Sequence, residues 1–152
     1  MSGQLSRNLH KRYIDWNKVE EYLKQYIGKK YEIDEIDELV YIGKDFPDEY
    51  AHSKYSHGIH GTIAKAKANL VQAIPQLIQS ANNCSYDINK EKKHQLDAYN
   101  GWYRCIIRFT LPICNDKEKI VGKNKFQGRM LLRCNQDKKL YLYDIIDIKK
   151  EP

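Results

Sequence analysis

The chain has 152 residues, and its Lys and Arg exceed its Asp and Glu by 26 to 20, for a formal charge of +6. A chain of this length folds as one domain burying roughly two thirds of the surface its unfolded form exposes, so neither metal nor disulfide is needed to explain folding. No apolar run reaches the about 18 residues of a membrane span and no signal-peptide core opens the chain, which excludes membrane insertion by this domain and leaves nucleic acid or an acidic protein as the partner its charge favours.

Residues 1–13 are polar and basic without a period, and read as a lead-in or linker end; 14–152 form the domain. Asp15 caps a helix predicted over 16–27, with Val19, Tyr22, Leu23, Tyr26 and Ile27 on one face and Gly28 as its stop. The acidic stretch 32–38 fits a solvated edge better than an ion site, since no spacing matches a known ion loop. A short strand follows over 39–42, then a turn or short helix over 46–50.

A loop over 51–61 carries His52, His57 and His60 beside Lys54 and Tyr55. No cysteine pair stands nearby, so no metal is expected; His57 and His60 suit acid–base chemistry, because imidazole titrates near neutrality. Thr62 caps a helix predicted over 63–74, with Ile63, Ala66 and Leu70 on its buried stripe. Lys65 and Lys67, in its first turns beside the histidines, suggest a phosphate site. Pro75 either kinks this helix or begins another to residue 81.

Residues 82–100 read as a long connection with one short strand, anchored by Tyr86, Ile88 and Leu96, with His94 exposed. Residues 102–111 alternate as a strand: Tyr103, Cys105, Ile107, Phe109 and Leu111 face a core, and Trp102, Arg104, Ile106, Arg108 and Thr110 face away. Pro112 is expected to close that strand and 113–125 to form a charged hairpin loop. The alternation returns over 126–134, where Arg129 and Arg133 share the second face. The last strand, 140–148, offers either Tyr141, Tyr143 and Ile145 or Leu142, Asp144 and Ile146 to that face; the tyrosines are the preferred set. Cys84, Cys105, Cys114 and Cys134 lack C-x-x-C spacing and read as buried free thiols in a reducing compartment.

The predicted fold is therefore α+β: N-terminal helices packed on a twisted antiparallel β-sheet, a meander of three to four strands. This order, with the segments Tyr41-Ile42-Gly43-Lys44-Asp45-Phe46-Pro47-Asp48-Glu49-Tyr50, Lys65-Ala66-Lys67-Ala68-Asn69, Gly101-Trp102-Tyr103-Arg104 and Leu140-Tyr141-Leu142-Tyr143-Asp144-Ile145, resembles the barnase/EndoU/colicin/RelE-like (BECR) nuclease superfamily. It is similar in particular to a domain at the C-terminal ends of phage head and mobile-element proteins of Gram-positive bacteria. The resemblance implies a toxin-like nuclease and carries Lys65, Lys67, Arg104, Arg108 and Tyr143 as matching polar positions.

Together these readings predict a metal-independent RNase without cofactor, acting on tRNA or another structured RNA in the cytoplasm of a bacterial cell and neutralised by an acidic immunity protein. The 2′-hydroxyl is the nucleophile. His57 or His60 moves the proton, Lys67 and Arg108 stabilise the phosphorane, and Tyr143 orients or donates; Lys65, Trp102, Arg104, Arg129 and Arg133 hold the RNA. The alternatives are a non-catalytic nucleic-acid-binding module and a protein-interaction domain with an acidic partner.

Overall fold

A computed structural model describes residues 14–87 and 101–152. The expected lead-in 1–13 and the part of the long connection holding Ile88, His94 and Leu96 lie outside the described residues.

The Asp15 carboxylate accepts the Asn17 and Lys18 amides at 3.1 and 3.4 Å and so starts α1 (Trp16–Leu23). A 3-10 turn (Lys24–Tyr26) ends it sooner than the apolar periodicity suggests, and Gly28, at φ +85°, reverses the chain. The acidic stretch is the turn and flanks of a hairpin, β1 (Lys30–Ile33) and β2 (Glu38–Tyr41).

The chain then forms α2 (Phe46–Ala51) and α3 (Lys54–Gly58). The expected histidine loop is thus partly helical: Ser53 accepts the Ser56 amide at 3.1 Å and starts α3. α4 (Gly61–Leu70) begins at His60 rather than Thr62, and Pro75 sits in the first turn of α5 (Ile74–Ser80), where its missing N–H costs nothing.

Then follow β3 (Asn82–Asp87), β4 (Trp102–Cys114), β5 (Ile120–Cys134) and β6 (Leu140–Lys150). The sheet has six strands in the order β1-β2-β6-β5-β4-β3. The α+β class and the β4-β5-β6 meander agree with the sequence, but the flanking strands enlarge the sheet, and β2 pairs with β6 in parallel, making it mixed. Pro112 does not end β4: it pairs with Lys123, and the expected loop over 113–125 shrinks to a turn around Asn115, whose side chain accepts the Lys117 and Lys119 amides.

One face of the sheet carries the core. Cys105, Ile107, Phe126, Met130, Leu132, Leu142, Ile145 and Ile148 pack against Val19, Leu23, Phe46, Tyr50, Leu70, Ile74 and Ile78 of the helices. Each such large side chain contributes roughly 1.5–3 kcal/mol by leaving water. A Cβ at Gly128 would meet Ile148, Ile145 and Ile107 side-chain carbons at 3.3 to 3.5 Å, so its absence lets the isoleucines close over the strand.

β2 accompanies β6 only at residues 40–41, which leaves most of one β6 edge without a strand partner. α2 packs against it, and the Tyr55 hydroxyl of α3 accepts the Ile148 amide at 2.8 Å, satisfying a donor that edge would otherwise leave open.

The cysteine expectation is corrected: Cys84 of β3 and Cys105 of β4 form a disulfide, while Cys114 and Cys134 are free thiols. The alternation correctly places Cys105 in the core. What it could not supply is β3 as its neighbour, which brings Cys84 alongside. No helix among the described residues is long and apolar enough to cross a membrane.

Candidate nucleic-acid interface

The second face of the sheet carries the polar alternation. Arg104 pairs across the strands with Leu131, Ile106 with Arg129, Arg108 with Gln127 and Trp102 with Arg133. Directly paired residues share a face, so Arg104, Arg108 and Arg129 stand together there, and Arg108 and Arg129 are diagonal neighbours about 7–8 Å apart at the backbone. Their side chains are 46, 52 and 47% exposed. Each guanidinium has a carboxylate at 3.4 Å: Asp87 for Arg104, Glu151 for Arg108 and Asp147 for Arg129. Half-solvated pairs of this kind are weak. An incoming phosphate can therefore replace the carboxylate at small cost.

Two bulges in β6 shape this face. Leu132 pairs with Leu142 and Leu131 with Asp144, so Tyr143 is an extra residue; Arg129 pairs with Ile146 and Gln127 with Lys149, so β6 again spends one residue more than β5. In the second bulge Asp147 takes φ +51°, a conformation that non-glycine residues seldom adopt. Beside it a depression of about 230 Å³ is lined by Ile106, Gln127, Gly128, Arg129, Asp147 and Lys149. Two cations, one carboxylate and the apolar Ile106 thus converge there. About four residues up the strand, roughly 13 Å away, Trp102 and Tyr143 meet edge to face with centroids 5.1 Å apart.

The first bulge decides the fate of the last strand. Tyr143 joins the arginine face, as preferred from sequence, but Ile145 turns into the core, and so does Asp144. Arg133 corrects the simple picture. It begins on that face, yet its side chain is only 10% exposed and donates to Glu49 of α2 at 2.8 Å, with its guanidinium 5.5 Å from the Tyr143 ring centroid. A cation this buried is held to Glu49 and braces α2 against the sheet.

Lys67 departs furthest from its expected role. It is fully buried on the helical side, where its ammonium donates to Asp144 at 2.6 Å and to the Ser53 hydroxyl at 3.4 Å, within 4.4 and 5.1 Å of the Tyr50 and Tyr55 ring centroids. Burial pushes the Asp144 carboxyl up and the Lys67 ammonium down, and each group opposes the other's shift. The cluster is further tied by the Tyr50 hydroxyl, which donates to the Lys67 carbonyl at 2.6 Å, and by the Ser56 hydroxyl, which donates to the Tyr50 carbonyl at 2.7 Å. Lys67 thus cannot share a phosphate with Arg108 across the sheet.

The histidines also lie elsewhere. His57 stacks on His52 with centroids 5.8 Å apart, and His52 bonds Glu20 of α1, which places His57 in the helical layer. His60 is exposed at the start of α4, and Lys65 is half-buried one turn on, its carbonyl accepting the Asn69 amide at 2.7 Å. Of the expected catalytic five, the structure leaves Arg108 at the depression's end of the open face and Tyr143 at the aromatic end.

Asp147, Lys149 and Glu151 are the site residues that sequence reasoning missed, because the second bulge sets their facing. Asp144 was legible in part: Lys67 lies three residues from both Ala64 and Leu70, on the buried stripe, so a buried counter-charge had to exist somewhere. No protein family, curated protein or solved structure matches the chain, so its candidate site rests on this geometry.

Proposed function

We propose that the chain binds an unpaired segment of structured RNA, such as a tRNA loop, across the open face of its sheet and cleaves it without a metal. The observation that carries this reading is the one-sided sheet. Helices cover one face, while the other keeps Arg104, Arg108 and Arg129 half in water, with Trp102 and Tyr143 at one end and a charged depression at the other. Arginines at this spacing follow a phosphate backbone, and aromatic rings beside them take bases in a sequence-tolerant way.

Cleavage by 2′-hydroxyl attack asks the protein for a base, a charge stabiliser and an acid, and no covalent enzyme residue. Arg108–Glu151 and Arg129–Asp147 each place a carboxylate next to a guanidinium, and Lys149 lines the depression with Arg129 and Asp147. In this reading a phosphate bound by Arg108 and Arg129 displaces the carboxylates, one of which takes the 2′-proton while Lys149 protonates the 5′-oxygen. The role first expected of His57 and His60 moves to residues of the open face. An acidic immunity protein complementary to the arginines fits the same surface.

The second reading, a binding module that does not cleave, is favoured by the position of those histidines in the helical layer. Binding itself is tested by the salt dependence of affinity for a fluorescent RNA loop. Arg104→Gln, Arg108→Gln and Arg129→Gln should each lower the slope of log K against log salt by about one. Slopes equal to wild type in all three variants would place the RNA elsewhere.

A further inference from the structure

The helical layer holds a second constellation, far from the arginines in role and composition. Asp48 of α2 and His52, which caps the C-terminus of that helix by donating its amide to the Asp48 carbonyl at 2.9 Å, lie four residues apart across the last turn, and Glu20 comes from α1, which packs against α2. The His52 Nε2 stands 2.8 Å from a Glu20 carboxylate oxygen, and ligand atoms of Glu20, Asp48 and His52 all lie within 4.8 Å of one another. We propose that these three side chains form a binding site for a divalent transition-metal ion of the zinc class.

The geometry suits such an ion. Metal–ligand bonds of about 2.0–2.2 Å place tetrahedral ligands about 3.3 Å from each other; here one pair stands at 2.8 Å and no pair is separated by more than 4.8 Å. One imidazole nitrogen with two carboxylates selects a borderline ion such as Zn²⁺ over Ca²⁺ or Mg²⁺, which prefer oxygen alone. Asp48 is exposed and the Glu20 and His52 side chains are 27 and 28% exposed, so an ion can enter and retain water in its fourth position. The His57 ring lies against that of His52, with centroids 5.8 Å apart. The ion would clamp α1 to α2, the helix whose Glu49 holds Arg133 beneath the sheet's aromatic end. It takes no part in the RNA chemistry proposed above.

The test is titration calorimetry of the full chain with ZnCl₂, alongside thermal melts. A single saturable site is expected, with a melting temperature raised by about 5 °C or more when free zinc is a hundred times the dissociation constant. Asp48→Asn and His52→Gln should each weaken binding at least tenfold, His60→Ala should leave it unchanged, and millimolar Mg²⁺ should not compete. If a variant fails to fold, Co²⁺ on the wild-type chain decides: visible d–d bands without thiolate charge-transfer absorption support the site. Absence of saturable zinc binding, equal binding by the Asp48 and His52 variants, or a thiolate band pointing to Cys114 or Cys134 would overturn the proposal and leave His52–Glu20 as an ordinary ion pair.

Discussion

Replacing Lys67 by Met keeps most of the side-chain volume and removes only the charge, which makes it the sharpest probe of the core. Asp144, whose side chain is 4% exposed, would then retain the Ile145 amide at 2.8 Å but no counter-ion. Breaking a buried pair in this way costs about 3–5 kcal/mol, a large share of the 5–15 kcal/mol typical of a domain. At roughly 2–4 °C per kcal/mol, the melting temperature should fall by about 10 °C. Urea unfolding monitored by circular dichroism measures the loss directly. The sign of its pH dependence follows from Asp144. Burial already raises this carboxyl above its ordinary value, and removing Lys67 takes away a partner that lowers it. A native state that holds the proton more tightly gains stability below the unfolded-state value and loses it as pH rises through the folded one. Lys67→Met should therefore be less damaging at pH 5 than at pH 8, and adding Asp144→Asn should recover part of the loss. Because Lys67 is walled off from the open face, the folded variant should bind RNA with the wild-type salt slope. A loss under about 1 kcal/mol, or one that ignores pH, would refute the buried pair.

Two further outcomes follow from the same packing. Burial raises the phenols of Tyr50, Tyr26 and Tyr55 above the ordinary value of 10.0. Their contribution is full below about pH 10 and is lost as pH rises above it, because the unfolded phenols ionise first. The lowered Lys67 works in the opposite direction in both chains, so the phenol's part is read as a difference: between pH 9 and 11 stability should change less steeply downward with pH in Tyr50→Phe than in wild type. For the disulfide, the separation of 21 residues between Cys84 and Cys105 corresponds to about 3 kcal/mol of loop-closure entropy in the unfolded chain. The Cys84→Ser/Cys105→Ser variant should lose about that much in urea titrations, and added reductant should shift the wild type to match it while leaving the variant unmoved.

The fold was legible where side-chain period alone decides it. Strict alternation from Trp102 to Leu111 and from Phe126 to Cys134 gave the meander and its two faces, and Asp15 gave the start of α1. What escaped were features that depend on which segments become neighbours. β2 was read from sequence as the short strand 39–42, but β1, four residues long, is too short for a period to establish, and the place of the pair beside β6 depends on two residue pairs. The disulfide needed β3 next to β4.

The candidate site split along the same line. Arg104, Arg108, Arg129, Trp102 and Tyr143 were found because the strand period controls them. Lys67, His57 and His60 were grouped with them because they are near each other in sequence and chemically apt, yet proximity along the chain placed them on the far side of the sheet. The bulges at Tyr143 and Asp147 leave no periodic trace, and they bring Asp147, Lys149 and Glu151 to the arginines.

The most direct test of the open-face account is incubation of the purified chain with total bacterial RNA in EDTA, beside an Arg108→Ala/Arg129→Ala variant and a His57→Ala/His60→Ala variant. Discrete fragments ending in 2′,3′-cyclic phosphates are expected from the wild type and the histidine variant, with the arginine variant slower by roughly two or more decades. RNA left intact by wild type while still bound would contradict cleavage and leave a binding module, and activity lost with the histidines but kept without the arginines would move the site to the helical layer.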